Sequence, residues 1–507
     1  MKNILEYLEA STQAFPDKLA FVEVDKAVTY KAFTSCARSI GTALAKLGSR
    51  NSPVAVLMDK GINSLEAMLG TVYSGNFYVI IDSEMPLDRM KSICSSLNPA
   101  AIITDINNRE KSEELSGGIP VWLYSSLAAM EEDRGLLQSI RNRMIDTDPL
   151  YCLFTSGSTG KPKGTIINHR NVIAYAEWVT EAFGINENTI FGNQTPFYFS
   201  MSVLDIYSTI KNGSTLVIIP RQYFSFPLKL VQLMNEKNVN TIYWVPSALC
   251  IAANMKLFDY IKPMYLKKVL FAGEVMPTKQ LNYWRASLPD AFFANLFGPT
   301  EVTDICTYYV VNRTFRDDEP IPIGVACNNC DVMVIKEDGA LAAPGEEGEL
   351  YVRGSFLSNG YYNNAEKTSE VFVQNPLNSH YPEMVYKTGD LVRYNHFGEL
   401  EYLCRRDFQI KHMGYRIELG EIESAAGSLE GVDSVVCTYD KEKDVIVLVY
   451  QGRKVDRIQM IEELRHSIPG YMVPGVIIQT DAMPYNSNGK IDRAWIKNNY
   501  KELDGGK

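Results

Sequence analysis

A chain of 507 residues, 46% hydrophobic and 22% charged, is too long for one hydrophobic core and too apolar to be disordered. A net charge of −10 argues against a nucleic-acid surface and leaves small molecules or docking surfaces as partners. Nine cysteines at this length point to a reducing compartment. Two glutamates in Met1–Ala10 exclude a signal peptide, and no apolar run could span a bilayer, so a cytoplasmic protein without a membrane partner is expected.

Along the chain, Pro53–Met58 reads as a strand, and Leu65, Met68, Leu69 and Val72 then recur at helical spacing until Gly75. The apolar runs 77–82, 100–104 and 215–220 suit buried parallel strands, giving α/β alternation through roughly the first 310 residues. Residues 320–404 change character, with short strands at 348–353 and 398–403 suggesting a small β-barrel. Beyond Asp407, a helical face of Ile422, Ala425, Ala426 and Leu429, a strand at 444–450 and a helix before Pro469 predict a compact α+β domain. The expected architecture is an α/β fold with a large N-terminal domain, 1–406, and a small mobile domain, 407–507.

One segment carries chemistry on its face. Thr155-Ser-Gly-Ser-Thr-Gly-Lys-Pro-Lys-Gly-Thr165 combines glycines that let backbone N–H groups approach an anion, hydroxyls that donate to it and lysines that neutralise it. A Walker A loop needs Gly where Thr155 stands and Ser or Thr where Pro162 stands, so this is a polyphosphate loop of another kind. Cys327 and Cys330 have zinc-like spacing but no second ligand pair, and the five histidines are scattered, so no metal box is expected there.

The loop resembles the signature of the adenylate-forming superfamily, which includes nonribosomal peptide synthetase adenylation domains, acyl-CoA ligases and D-alanine:carrier ligases. Four further segments resemble its motifs in order: Phe297-Gly-Pro-Thr-Glu301, Tyr386-Lys-Thr-Gly-Asp390, Arg405-Arg-Asp-Phe-Gln-Ile-Lys411 and Pro484-Tyr-Asn-Ser-Asn-Gly-Lys-Ile-Asp-Arg493. The resemblance implies attack of a carboxylate on the α-phosphate of ATP, with catalysis resting on positioning and charge stabilisation. By similarity, Thr155, Ser156, Gly157, Ser158, Thr159, Gly160, Lys161 and Lys163 cradle phosphates; Thr300 donates to the α-phosphate, and Glu301 holds Mg²⁺. Asn295 and Phe297 face adenine, Gly298 belongs to the same nucleotide site, and Asp390 and Arg405 hold the ribose. Lys490 matches the lysine that bridges carboxylate and phosphate, a role suited to a point charge on a flexible stem. Lys411 is implied to serve thioester formation after the small domain turns about a hinge at Asp407. A non-catalytic scaffold would lack Lys490, Asp390 or Glu301, and all three are present.

The implied substrate pocket departs from the family pattern. Amino-acid-activating relatives carry Phe-Asp-x-Ser-Val, whose Asp pairs with the α-ammonium, whereas this chain has Phe199-Ser-Met-Ser-Val203. A buried ammonium without its counter-ion is costly, so Ser200 fits ordinary α-amino acids poorly. The other aligned positions are Met201, Leu204, Trp244, Leu270, Ala272, Leu296, Asp304 and Ile305, with Trp244 expected to shorten the cavity. Asp304, the lone carboxylate, needs a partner; an amine displaced from the α-carbon would supply one, and a nitrogen-free acid is the alternative. No carrier module follows Lys490, so the expected acceptor is the phosphopantetheine arm of a separate carrier protein, with CoA as the alternative.

Overall fold

The computed structural model describes residues 1–156, 162–406, 409–485 and 491–503, the side chain of Ala494 excepted. Backbone contacts divide it into two compact units, one of Met1–Ser83, Leu97–Leu153 and Gly164–Cys404, the other of Glu84–Ser96, Phe154–Lys163 and Arg405–Lys507.

The first unit has the expected α/β architecture. Its largest sheet has nine strands, with Leu19–Val22, Thr215–Ile218, Ile190–Asn193, Thr241–Trp244, Lys268–Phe271 and Phe292–Phe297 parallel in that spatial order. Thr307–Val310 and Val325–Ala326 finish one edge antiparallel. These strands are almost wholly buried apolar runs, as parallel strands covered on both faces must be. A six-stranded sheet contains Pro53–Leu57, Phe77–Ile80 and Ala101–Thr104, all anticipated from sequence to within two residues. Where a small β-barrel was expected, the strands Cys330–Ile335, Gly348–Gly354, Met384–Tyr394, Phe372–Gln374 and Leu400–Arg405 form a five-stranded sheet.

Helix packing here relies on close backbone approach. Helices Tyr30–Ala45 and Ile62–Tyr73 meet at two glycines: a Cβ on Gly41 would lie 2.5 Å from Tyr73 Cβ, and one on Gly70 would lie 2.5 Å from Ile40 Cγ2. Helix His169–Phe183 starts at a reciprocal cap, in which Asn168 Oδ1 accepts from Asn171 N and Asn171 Oδ1 from Asn168 N, both at 3.0 Å. It ends at Gly184, whose φ of 56° suits a residue without Cβ. Its inner face is Val172, Tyr175, Ala176, Val179 and Phe183.

In the second unit, Val432–Asp440, Val445–Gly452 and Val476–Thr480 form a three-stranded sheet, and Gln409–His412 pairs antiparallel with Tyr415–Glu418. Helices Leu419–Gly427, Arg457–Ser467 and Arg493–Leu503 complete this unit's α+β part. Arg89 and Glu421, both nearly excluded from solvent, form an ion pair within this unit. No helix among the described residues is long and apolar enough to cross a membrane.

One buried histidine makes the first unit acid-sensitive. His169 is 1% exposed, its Nδ1 accepts from Ile4 N at 3.2 Å, and burial pushes its pKa down to about 4. The folded value lies below the unfolded one of about 6.5, so the stability it confers is complete above pH 6.5 and is lost as the pH falls towards 4. Urea denaturation should show wild type losing about 3 kcal/mol relative to His169→Asn between pH 7 and pH 4. Parallel curves for the two proteins would show that His169 does not carry this sensitivity.

Candidate active site

The strand Phe292–Phe297 delivers the site's central turn. After Phe297 the chain passes Gly298 and Pro299, makes a 3-10 turn at Thr300–Val302, and doubles back so that Cys306 N donates to Phe297 O at 2.8 Å. A Cβ on Gly298 would lie 2.4 Å from Asp304 O and 2.5 Å from Ile305 Cα, so the reversal closes only on glycine. Thr303 makes the turn with φ 73° and ψ −56°, and Asp304 N donates to Val302 O at 2.8 Å, a γ-turn costly for a β-branched residue. Its Oγ1 donates to Phe356 O at 2.8 Å, which helps hold the conformation.

This turn orients three of the expected residues. Thr300 Oγ1 donates to Ser200 Oγ at 3.3 Å, joining the Thr-Glu motif to the Phe199–Val203 segment. Glu301 is fully buried, its Oε1 accepts from Tyr361 Oη at 2.6 Å, and its backbone carbonyl accepts from Ser358 N at 2.9 Å. Asp304 is 1% exposed, and its Oδ2 accepts from Tyr175 Oη at 2.6 Å and from Tyr243 Oη at 3.1 Å. Burial, reinforced by the Asp304 charge, pushes both phenols well above their ordinary pKa, so they remain O–H donors.

No sequence motif marks Tyr175 or Tyr243. Their signal was a tyrosine set in otherwise apolar runs, where a buried phenol needs an acceptor. Trp244 lies on the other strand face from Tyr243. Strand alternation puts Tyr243 beside Leu270 on one face and Trp244 beside Phe271 on the other, where the indole meets Phe224 edge-on at 5.1 Å and donates to Gly192 O at 2.7 Å. Tyr243, rather than Trp244, reaches Asp304. Leu270 and Leu296 lie on Tyr243's face by register, and Ala272 and Ile305 are buried. Met201 and Leu204 are buried at the start of helix Ser202–Asn212, with Met201 Sδ 3.3 Å from the place a Cβ on Gly273 would occupy.

The nucleotide positions are also buried. Asn295 Nδ2 donates to Pro322 O at 2.9 Å, which commits one amide hydrogen to the protein. The Phe297 ring lies 5.9 Å from Tyr402, tilted by 41°. Asp390 sits in strand Met384–Tyr394, 2% exposed, its N–H bonded to Thr388 Oγ1 at 3.0 Å.

The second unit holds the other expected residues. Ser156 Oγ donates to Arg416 O at 2.7 Å and accepts from Glu418 N at 3.2 Å, so this hydroxyl is engaged by the strand Tyr415–Glu418. Lys411 lies on the paired strand opposite Arg416, and Arg405 closes strand Leu400–Arg405. Lys163 is nearly buried. Gly157, Ser158, Thr159, Gly160, Lys161, Asp407 and Lys490 lie outside the described residues.

Two observations test whether these residues fit ATP and its metal. Thr155 Oγ1 is buried with no hydrogen-bond partner among the described residues, which suits a phosphate oxygen as acceptor for its proton. No group of three or more His, Cys, Asp and Glu among the described residues could hold a metal by itself. A single buried carboxylate such as Glu301 fits Mg²⁺, which is usually bound through one or two carboxylates together with substrate phosphates.

Fold and site together define an adenylate-forming enzyme. The AMP-binding enzyme family matches residues 8–362, and the chain belongs to it, as an ATP-using ligase. It is similar to the L-proline–[L-prolyl-carrier protein] ligase of Pseudomonas fluorescens, at 31% identity over 97% of this chain and 98% of that one. A D-alanine–D-alanyl carrier protein ligase of Bacillus cytotoxicus is 29% identical, with 97% and 98% covered. Among solved structures, the Vibrio cholerae adenylation domain AlmE, in complex with glycyl-adenosine-5'-phosphate, shares the fold with a TM-score of 0.85 at 21% identity, covering 98% of both chains.

If the doubled-back turn positions Thr300 and Glu301, Gly298→Ala should lower urea stability by about 2 kcal/mol or more and weaken ATP binding in the folded protein. Calorimetric titration with ATP alongside denaturation checks both, and unchanged ATP affinity would contradict the role given to the turn.

Proposed function

We propose that the enzyme activates a small carboxylic acid as its acyl adenylate and passes the acyl group to the phosphopantetheine thiol of a separate carrier protein in the cytoplasm. The observation that carries the reading is the Thr300–Ser200 hydrogen bond, which links the motif assigned to the α-phosphate with the segment assigned to the acid. Two carrier-protein ligases matching nearly the full chain support the choice of acceptor.

In this mechanism the acid's carboxylate oxygen bonds to the α-phosphorus of ATP as the bond to pyrophosphate breaks. Thr300 donates to the α-phosphate oxygen on which charge accumulates, and Lys490 bridges the entering carboxylate and the phosphate. Glu301 would hold Mg²⁺, which when bound neutralises phosphate charge. Asp390 and Arg405 orient the ribose, and Asn295 and Phe297 the adenine. In the second step the carrier thiol sulfur attacks the acyl carbon, AMP leaves with the phosphate oxygen, and Lys411 serves this half-reaction.

For the acid, Ser200 in place of the usual Asp, with Asp304 as the buried carboxylate, favours an amine displaced from the α-carbon, as in a β- or γ-amino acid. Two phenols donate to Asp304 Oδ2, so this carboxyl acts as a hydrogen-bond acceptor, the role it would play towards an ammonium. The same two bonds also favour a second reading, in which the tyrosines satisfy Asp304 structurally and the acid carries no nitrogen.

Exchange of labelled pyrophosphate into ATP should require both Mg²⁺ and a carboxylic acid, and Lys490→Ala should slow it by about 10²-fold or more. Lys411→Ala should preserve exchange and slow thioester formation, detected by mass spectrometry of carrier and CoA products. Equal losses in both steps for both variants would contradict the division of labour. Across a panel of α-, β-, γ-amino and aryl acids, Asp304→Asn should raise the KM of an amino substrate by the equivalent of about 2–4 kcal/mol and spare a nitrogen-free acid. No effect on the preferred amino acid would leave the second reading standing.

A further inference from the structure

The segment bearing Ser200 and Met201 leaves the strand Ile190–Asn193 and ends in the first turns of helix Ser202–Asn212. Its two roots are tied to each other. Asn193 Nδ2 donates to Asp205 Oδ2 at 2.8 Å, and both residues are fully buried. Lys60, from the loop between strand Pro53–Leu57 and helix Ile62–Tyr73, reaches the same place from the other sheet. Its ammonium donates to Asn193 O at 3.2 Å and Gln194 O at 3.0 Å, contacts Ile219 O at 3.5 Å, and lies 5.7 Å from the Phe197 ring centroid.

These bonds fix the strand-end carbonyls where the segment departs and the helix turn where it lands. None of the three side chains belongs to the nucleotide or acid positions described above. Asp205 Oδ1 and Asn193 Oδ1 have no hydrogen-bond partner among the described residues. Burial moves Lys60 and Asp205 towards their neutral forms, while each one's charge draws the other back; the Asp304 carboxylate adds to the upward shift at Asp205.

We propose that Lys60, Asn193 and Asp205 are positioning residues, a clasp that closes the base of the 194–204 segment and so holds Ser200 and Met201 where the acid binds. The inference rests on the adenylation reading and names residues through which that site sets acid affinity. The physical reason is leverage: Ser200 meets Thr300 at 3.3 Å, and a shift of about 1 Å at the segment's root is enough to misplace it.

The test is pyrophosphate exchange titrated separately with acid and with ATP, alongside urea denaturation, for wild type, Lys60→Met, Lys60→Arg and Asn193→Ser. Lys60→Met and Asn193→Ser should each raise the KM for the acid about tenfold while the KM for ATP stays within about twofold, and Lys60→Arg should recover most of the loss. Asn193→Ser answers the question should Lys60→Met fail to fold, because it cuts the same clasp at a neutral residue. An unchanged acid KM, equal rises in both KM values, or an arginine variant as impaired as the methionine one would overturn the clasp. Absence of exchange in wild type with every acid of the panel would overturn the adenylation reading itself, and the clasp with it.

Discussion

The doubling back of the chain between Phe297 and Cys306 is the constraint on which the rest of the first unit's site depends. Three devices hold it: a glycine at the point of closest approach, a γ-turn on a threonine that pays in backbone strain, and the antiparallel return into Thr307–Val310. Without the reversal, Thr300, Glu301 and Asp304 would run on past the sheet edge. With it, one residue meets Ser200, one meets Tyr361 and one meets Tyr175 and Tyr243.

Burial of charge sets the second constraint. Glu301, Asp304 and Asp205 are all essentially excluded from water, where an uncompensated carboxylate is expensive. Each receives a neutral donor: a phenol for Glu301, two phenols for Asp304, a carboxamide for Asp205. Neutral donors stabilise a carboxylate without cancelling its charge.

The second unit makes a separate point about the glycine-rich segment. Ser156 spends its hydroxyl on the backbone of Tyr415–Glu418, whereas its neighbour Thr155 has a buried hydroxyl with no hydrogen-bond partner among the described residues. Adjacent hydroxyls of one motif thus differ in what they can offer a phosphate. Composition alone could not separate them, because the partner of Ser156 is a backbone group some 260 residues away.

The sequence by itself determined the fold class, the order of the elements and the nucleotide motifs, because these follow from local apolar periodicity and from short contiguous runs such as Phe297–Glu301. Pro53–Leu57, Phe77–Ile80 and Ala101–Thr104 were legible for that reason. Tertiary structure alone decided which side chains meet. Tyr175 and Tyr243 lie 129 and 61 residues from Asp304, and Trp244 falls on the opposite face from its neighbour Tyr243 through the two-residue period of a strand, a parity that depends on where pairing begins. The Lys60–Asn193–Asp205 clasp joins a loop of one sheet to strand ends of another, and no local pattern records such a contact.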